Sequence, residues 1–144
     1  MLKNWRFATL IILAIVVAIL TADWAIARAR LPGIIIETEL ETPEVIADGK
    51  DSATFIVRVT ENGQPRTHDL LQLWLVKGSG QLIPQWAFTD ENGESKITFT
   101  PNPYNRYDPQ DTVEIAIMDT NIGRLIEVGK RTRIAIPLVI PANE

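Results

Sequence analysis

The chain has 144 residues, enough for one domain plus a short appendage, with 46% hydrophobic residues and a net charge of −4. It contains no cysteine, which excludes disulfides, thiolate metal sites and a cysteine nucleophile. Residues 1–30 carry Lys3, Arg6, Arg28 and Arg30 against Asp23, a net +3 that leaves −7 for the rest, and an acidic globular part repels nucleic-acid phosphates.

Phe7 to Ala22 is an uncharged apolar run flanked by Trp5 and Trp24. Nineteen helical steps between the two tryptophans span roughly 28 Å, close to the thickness of a bilayer's hydrocarbon core. Trp5 and Trp24 are therefore expected at the two membrane interfaces. Lys3, Arg6 and the amino terminus favour a cytoplasmic N-terminus, a bias that Arg28 and Arg30 oppose. The expected arrangement is a single-pass anchor in the cell membrane over residues 1–31, with an extracytoplasmic domain over residues 32–144. A cleaved signal peptide is the alternative, since Ala25-Ile26-Ala27 and Ala27-Arg28-Ala29 both satisfy the small-x-small cleavage pattern. The Lys3–Ile11 stretch also faintly resembles the start of a type IV pilin. Arg6 stands where that family has glycine before its cleavage point, and Ile11 where it has glutamate.

Beyond Pro32-Gly33 the period changes from helical to two. Ile34, Ile36, Thr38 and Leu40 share one strand face and Glu37, Glu39 and Glu41 the other, the pattern of a solvated edge strand that Pro43 ends and turns toward another sheet. Ala53, Phe55, Val57 and Val59 alternate with Thr54, Ile56, Arg58 and Thr60 up to an Asn62-Gly63 turn. Leu71, Leu73 and Leu75 form the next inward face and Lys77–Gly80 ends that strand. Trp86–Thr89, an Asn92-Gly93 turn and Lys96–Thr100 follow. Pro101–Gln110 is a loop, Val113, Ile115 and Ile117 point inward, Asn121–Gly123 is a turn, and Arg131–Ile140 is the last strand. About seven short strands with frequent turns predict an all-β, antiparallel β-sandwich behind one N-terminal hydrophobic helix.

Ala47–Thr54 (ADGKDSAT) resembles the opening of bacterial immunoglobulin-like domains of the invasin/intimin type. Asn62–Pro65, Gly78–Gly80 and Thr89–Gly93 match that family's internal turns in order and roughly in spacing. The resemblance covers about residues 34–140 and implies an immunoglobulin-like module. The sequence departs from the family in its long Pro101–Gln110 loop and in containing one copy of a normally tandem domain, so adhesion is not carried over.

Candidate chemistry is sparse. His68 is the only histidine, and its neighbour Asp69 points the other way on an extended chain. No enzyme activity and no cofactor is expected. Asp48, Asp51, Asp90, Glu91 and Asn92 are oxygen ligands of the kind calcium uses, yet the same residues are favoured by turns. Tyr104, Arg106 and Tyr107 have the composition of a recognition loop. The strand phase places Trp74, Val76, Met118 and Val139 on the outer surface of one sheet, together with Ala116, Ala135 and Pro137. That predicts an apolar patch anchored by Trp74, which a one-residue slip would bury instead. The function expected is a membrane-anchored protein-binding or scaffold module of an envelope assembly, with the membrane and a protein, or a second copy, as partners. The alternative is a pilus-like filament subunit with its helix in the filament core. A free secreted binding domain is a third possibility.

Overall fold

The computed structural model describes residues 2–142. Met1, Asn143 and Glu144, the outer ends of the two expected segments, lie outside the described residues, as do the amino terminus and the Lys3 side chain invoked for orientation.

One helix, α1 (Leu2–Arg30), leads into a short 3₁₀ turn (Leu31–Gly33), where Pro32 ends the α-helical ladder. Twenty-nine residues make it about 43 Å long. It is long and apolar enough to cross a membrane, and Phe7, Leu10, Ile12, Val16 and Ile19 are exposed around its whole girth. Two threonines interrupt the apolar run without leaving a free hydroxyl. Thr9 donates to the Trp5 carbonyl at 3.0 Å and Thr21 to the Val17 carbonyl at 2.8 Å.

Ten strands follow: β1 (Ile34–Leu40), β2 (Val45–Ile46), β3 (Ala53–Glu61), β4 (Gln64–Pro65), β5 (Leu70–Lys77), β6 (Gly80–Ile83), β7 (Trp86–Phe88), β8 (Glu94–Pro101), β9 (Thr112–Asp119) and β10 (Lys130–Val139). One sheet has the order β1-β3-β8-β6, with β4 hairpinned onto β3; the other runs β2-β10-β9-β5-β7. The chain changes sheet at Pro43: β1 pairs antiparallel with β3, and β2 pairs parallel with β10 across the sandwich. The Asn62-Gly63 turn has both residues at positive φ, 51° and 79°, as the tightest hairpins require.

The alternating residues meet between the sheets. Phe55, Val57, Phe99, Ile115 and Ile136 are fully buried, Leu73 nearly so, and Leu75 packs at the margin of the same core. Strand β6 was not expected. Its residues follow Lys77–Gly80 without a clear alternation, yet Leu82 is buried and the strand closes the first sheet against β8. The expected turn at Asn121–Gly123 is instead the start of a long connection from β9 to β10, pinned to the core by Ile122 and Val128.

Candidate interaction surfaces

The outer surface of the β5–β9–β10 sheet follows from its register. Trp74 lies opposite Ala116, which lies opposite Arg133; Gln72 lies opposite Met118, which lies opposite Arg131. Trp74 is outside the core. It is half-buried because the Arg131 guanidinium stacks over its ring, 4.8 Å from the centroid. Ala116, between Trp74 and Arg133, is shielded completely.

The surface is not the single apolar patch that the sequence predicts. Glu114, Arg131 and Arg133 share the phase of Met118 and Val139, and a Glu114–Arg133 ion pair at 3.5 Å runs across the middle of the sheet. The expected residues are thereby separated. Met118 lies toward the helix end of the sandwich and Trp74 level with Arg133. Val139 lies at the far corner, paired with the exposed Ile46. Val76 stands exposed at a β-bulge between Leu75 and Lys77.

Two aromatic residues missing from the expected set extend the Trp74 side. Trp86 pairs with Gln72 and Phe88 with Leu70, so both share the face of Trp74. They are 53% and 66% exposed. The alternation Trp86-Ala87-Phe88 around a buried alanine is the sequence pattern that could have revealed them. Phe88, Trp86 and Trp74 form an aromatic strip along this edge, with Met118 beside it.

The opposite sheet is mostly charged outside, with Ile35, Ile56 and Ile83 as its apolar members. Arg58 holds Glu94 at 2.8 Å through Nε, Lys96 holds Glu41 at 2.9 Å, and Glu37 and Glu39 guard edge strand β1.

The Tyr104–Tyr107 loop lies at the far end of the sandwich. Tyr104 is half-buried, its backbone N–H donating to the Ala47 carbonyl at 2.8 Å. Tyr107 is 80% exposed, with Arg106 stacked on its ring at 4.7 Å. The turn carboxylates have local duties. Asp48 Oδ1 accepts from the N–H groups of Lys50 and Asp51, which hold its carboxyl below the usual carboxylate range. Asp90 Oδ1 accepts from Asn92 and Glu94. Among the described residues no three His, Asp or Glu side chains are placed to hold a metal ion. His68 is exposed at φ 58° while Asp69 turns inward to Arg66.

At the helix end sits an ion cluster that sequence spacing does not show. Arg66, 8% exposed, reaches Glu61 at 2.8 Å, Asp69 through both Nε and Nη2, and Asp119 at 3.6 Å. Glu61 also takes a two-pronged contact from Arg30, at 2.6 and 2.7 Å. The Arg30 pair holds the Glu61 carboxyl below the usual range. Burial pushes the Asp119 carboxyl up: one oxygen accepts from the Asn121 N–H, and the other has no hydrogen-bond partner among the described residues. Arg30 also donates to the Ile122 carbonyl at 3.1 Å. One turn earlier Ala27 is buried in the core, and a further turn back Asp23 accepts from the backbone N–H groups of Arg124, Leu125 and Ile126. The last two turns of α1 are thus built into the sandwich.

No family model matches this chain, and no curated protein does. Solved structures do. The D00-D0 domain of intimin is similar at TM-score 0.57 and 17% identity, covering 72% of this chain and 46% of that one. A C-terminal 282-residue fragment of intimin, solved in complex with the intimin-binding domain of the translocated intimin receptor, is similar at TM-score 0.55 and 18% identity, covering 73% and 32%. The D0-D1 domain of intimin follows at TM-score 0.50 and 18% identity, covering 69% and 46%. This chain spans less than half of each of those solved chains. The sandwich of residues 34–139 has the immunoglobulin-like β-sandwich fold found in domains of intimin.

Proposed function

We propose that this chain is a membrane-anchored, extracytoplasmic immunoglobulin-like module that binds or scaffolds another protein of the cell envelope and carries no catalysis of its own. One observation carries the reading. A helix apolar around its whole girth stands bare over Phe7–Ile19, while its last two turns are fixed to a folded sandwich by Asp23, Ala27 and Arg30. Such a helix is covered by lipid or by other helices, not by water. Domains 1–31 and 32–144 are then anchor and extracytoplasmic body.

The aromatic strip of Phe88, Trp86 and Trp74 is the surface best suited to a protein partner. Tryptophan and other large aromatics dominate interface energetics, and single-sided exposure of two of them on an edge strand is unusual for a solvated sheet. The intimin fragment solved with its receptor domain is an instance of this fold in a protein complex. Val76 and Val139 leave the proposed surface. The Tyr107–Arg106 pair stays as a separate contact at the far end.

The test is extraction of the native protein followed by N-terminal sequencing. A chain that retains its apolar helix and enters detergent as a dispersed species supports the anchor. A chain that sediments from sheared cells is a filament subunit, and one released after cleavage near Ala27 or Ala29 is a secreted domain. Either of these outcomes replaces the anchor.

A further inference from the structure

We infer that the Asn121–Val128 connection is a second membrane-contacting element, dipping into the bilayer interface beside the helix. The inference rests on the anchor reading and extends it to the sandwich itself. Asp23 is the first charged residue after the apolar run, one position beyond Ala22. Its carboxylate gathers the N–H groups of Arg124 at 3.2 Å, Leu125 at 2.9 Å and Ile126 at 3.0 Å, which fixes the loop's tip to that level of the helix. The tip then reaches back along the apolar run. Ile126 shares a groove with Val17, Leu20, Thr21 and Trp24, and Leu125 borders another with Ile19, Ala22 and Ile26. Val17 and Asp23 are six residues apart, about 9 Å along the axis. Any placement of Phe7–Ala22 in hydrocarbon therefore carries Leu125 and Ile126 to the hydrocarbon edge.

The chemistry of the loop fits that depth. Leu125 is 63% exposed. The backbone donors of the tip are already satisfied by Asp23, which is what a non-helical segment needs where water is scarce. Arg124, exposed beside Leu125, and Arg28, stacked 5.7 Å from the Trp24 ring centroid, lie where lipid phosphates would be. The apolar surface of the loop is continuous with that of the helix, so the occupant that covers both is the same lipid.

The chain's lack of cysteine makes the test direct. Leu125→Cys, Val16→Cys and Tyr107→Cys are introduced singly into the full chain and labelled with an environment-sensitive fluorophore. Each is reconstituted into phosphatidylcholine–phosphatidylglycerol vesicles that carry a quencher either near the headgroup or near the acyl-chain end. The inference expects the Leu125 probe to be quenched by the shallow lipid, the Val16 probe by the deep one, and the Tyr107 probe by neither. Quenching at Val16 without quenching at Leu125 overturns the loop contact and leaves the anchor standing. A blue-shifted but unquenched Leu125 probe means protein covers the loop, and also overturns it. Absence of quenching at both Val16 and Leu125 overturns the anchor and the loop together.

Discussion

Replacing Arg66 by alanine should destabilise this protein more than any surface change, and the loss should shrink in acid. Arg66 is a buried cation among three carboxylates, of which Asp69 is 5% exposed and Asp119 fully buried. Removing it leaves two buried charges without their counter-ion, a change that costs about 3–5 kcal/mol in comparable pairs. For a sandwich of this size that is a drop in Tm of about 12 °C or more. The pH dependence follows from Asp119. Burial already raises its carboxyl above the usual value with Arg66 present, and without Arg66 the rise is larger. A carboxyl raised in the folded state favours folding at pH values below its unfolded pKa, and that contribution is lost as pH rises through the folded pKa. The alanine variant should therefore recover part of its deficit as pH is lowered from neutral toward the usual carboxylate range, by protonating Asp119. The assay is thermal melting of the full chain in detergent, wild type against variant, across that range. A variant that melts like the wild type, or whose deficit is the same at every pH, refutes the ion cluster as the origin.

Phe55→Ala and Leu73→Ala each remove a buried side chain from the centre of the core and should cost about 2–5 kcal/mol, read as a lowered denaturation midpoint; unchanged midpoints would show the strand phase to be wrong. Trp74→Ser should leave the fold intact with a modest loss of Tm, because the ring lies outside the core beneath Arg131, and Trp86→Ser with Phe88→Ser should abolish pull-down of a partner from detergent extract while melting normally. Retained pull-down in the double variant removes the aromatic strip from the proposed interface. Gly123→Ala should loosen the helix–loop joint, because a Cβ there would stand 1.9 Å from the Ile126 carbonyl oxygen, and faster amide exchange at residues 124–126 would report it. The Glu61 carboxyl is held low by Arg30, so the stability it contributes at neutral pH should be lost, read as a falling Tm, as pH falls through its folded pKa below the usual carboxylate range.

The strands with one buried face were legible because alternation is written locally: Phe55-Val57-Val59 and Leu71-Leu73 state their own phase. Asn62-Gly63 was legible because few dipeptides accept two positive φ values in succession. Strand β6 was not, since one buried leucine in Gly80–Ile83 carries no period. The face of the second sheet differs from its sequence expectation for a different reason. Glu114, Arg131 and Arg133 lie in plain alternation with Met118 and Val139, so the apolar members of that phase share their face with charges. The ion cluster was out of reach of periodicity altogether. Arg30, Glu61, Arg66 and Asp119 are brought together by topology, and their separations along the chain have no fixed value in this fold.

Those same contacts decide how far the domain can act. A free linker after a membrane span would let the sandwich swing through a wide arc, and any of its surfaces could reach a partner. Here the path from Asp23 to Ile34 contains no such linker: Asp23 caps the β9–β10 loop, Ala27 enters the core, Arg30 pairs with Glu61, and Lys130 donates to the Leu31 carbonyl at 3.1 Å. Orientation is fixed by contacts along one face of the helix end, where Asp23, Ala27 and Arg30 recur at i, i+4 and i+7. Phe88 pairs with Leu70 at that end, and Thr89 ties it to the cluster by accepting from the Asp69 N–H and donating to the Arg66 carbonyl. In the proposed arrangement Phe88 thus stands at the membrane end of the sandwich, with Trp86 and then Trp74 farther along the sheet. The longest strand, ten residues, carries the far end only about 33 Å away. In the proposed arrangement a partner that reads Phe88 and Trp86 meets them within a few tens of ångströms of the bilayer, which favours a protein of the same membrane over a distant surface.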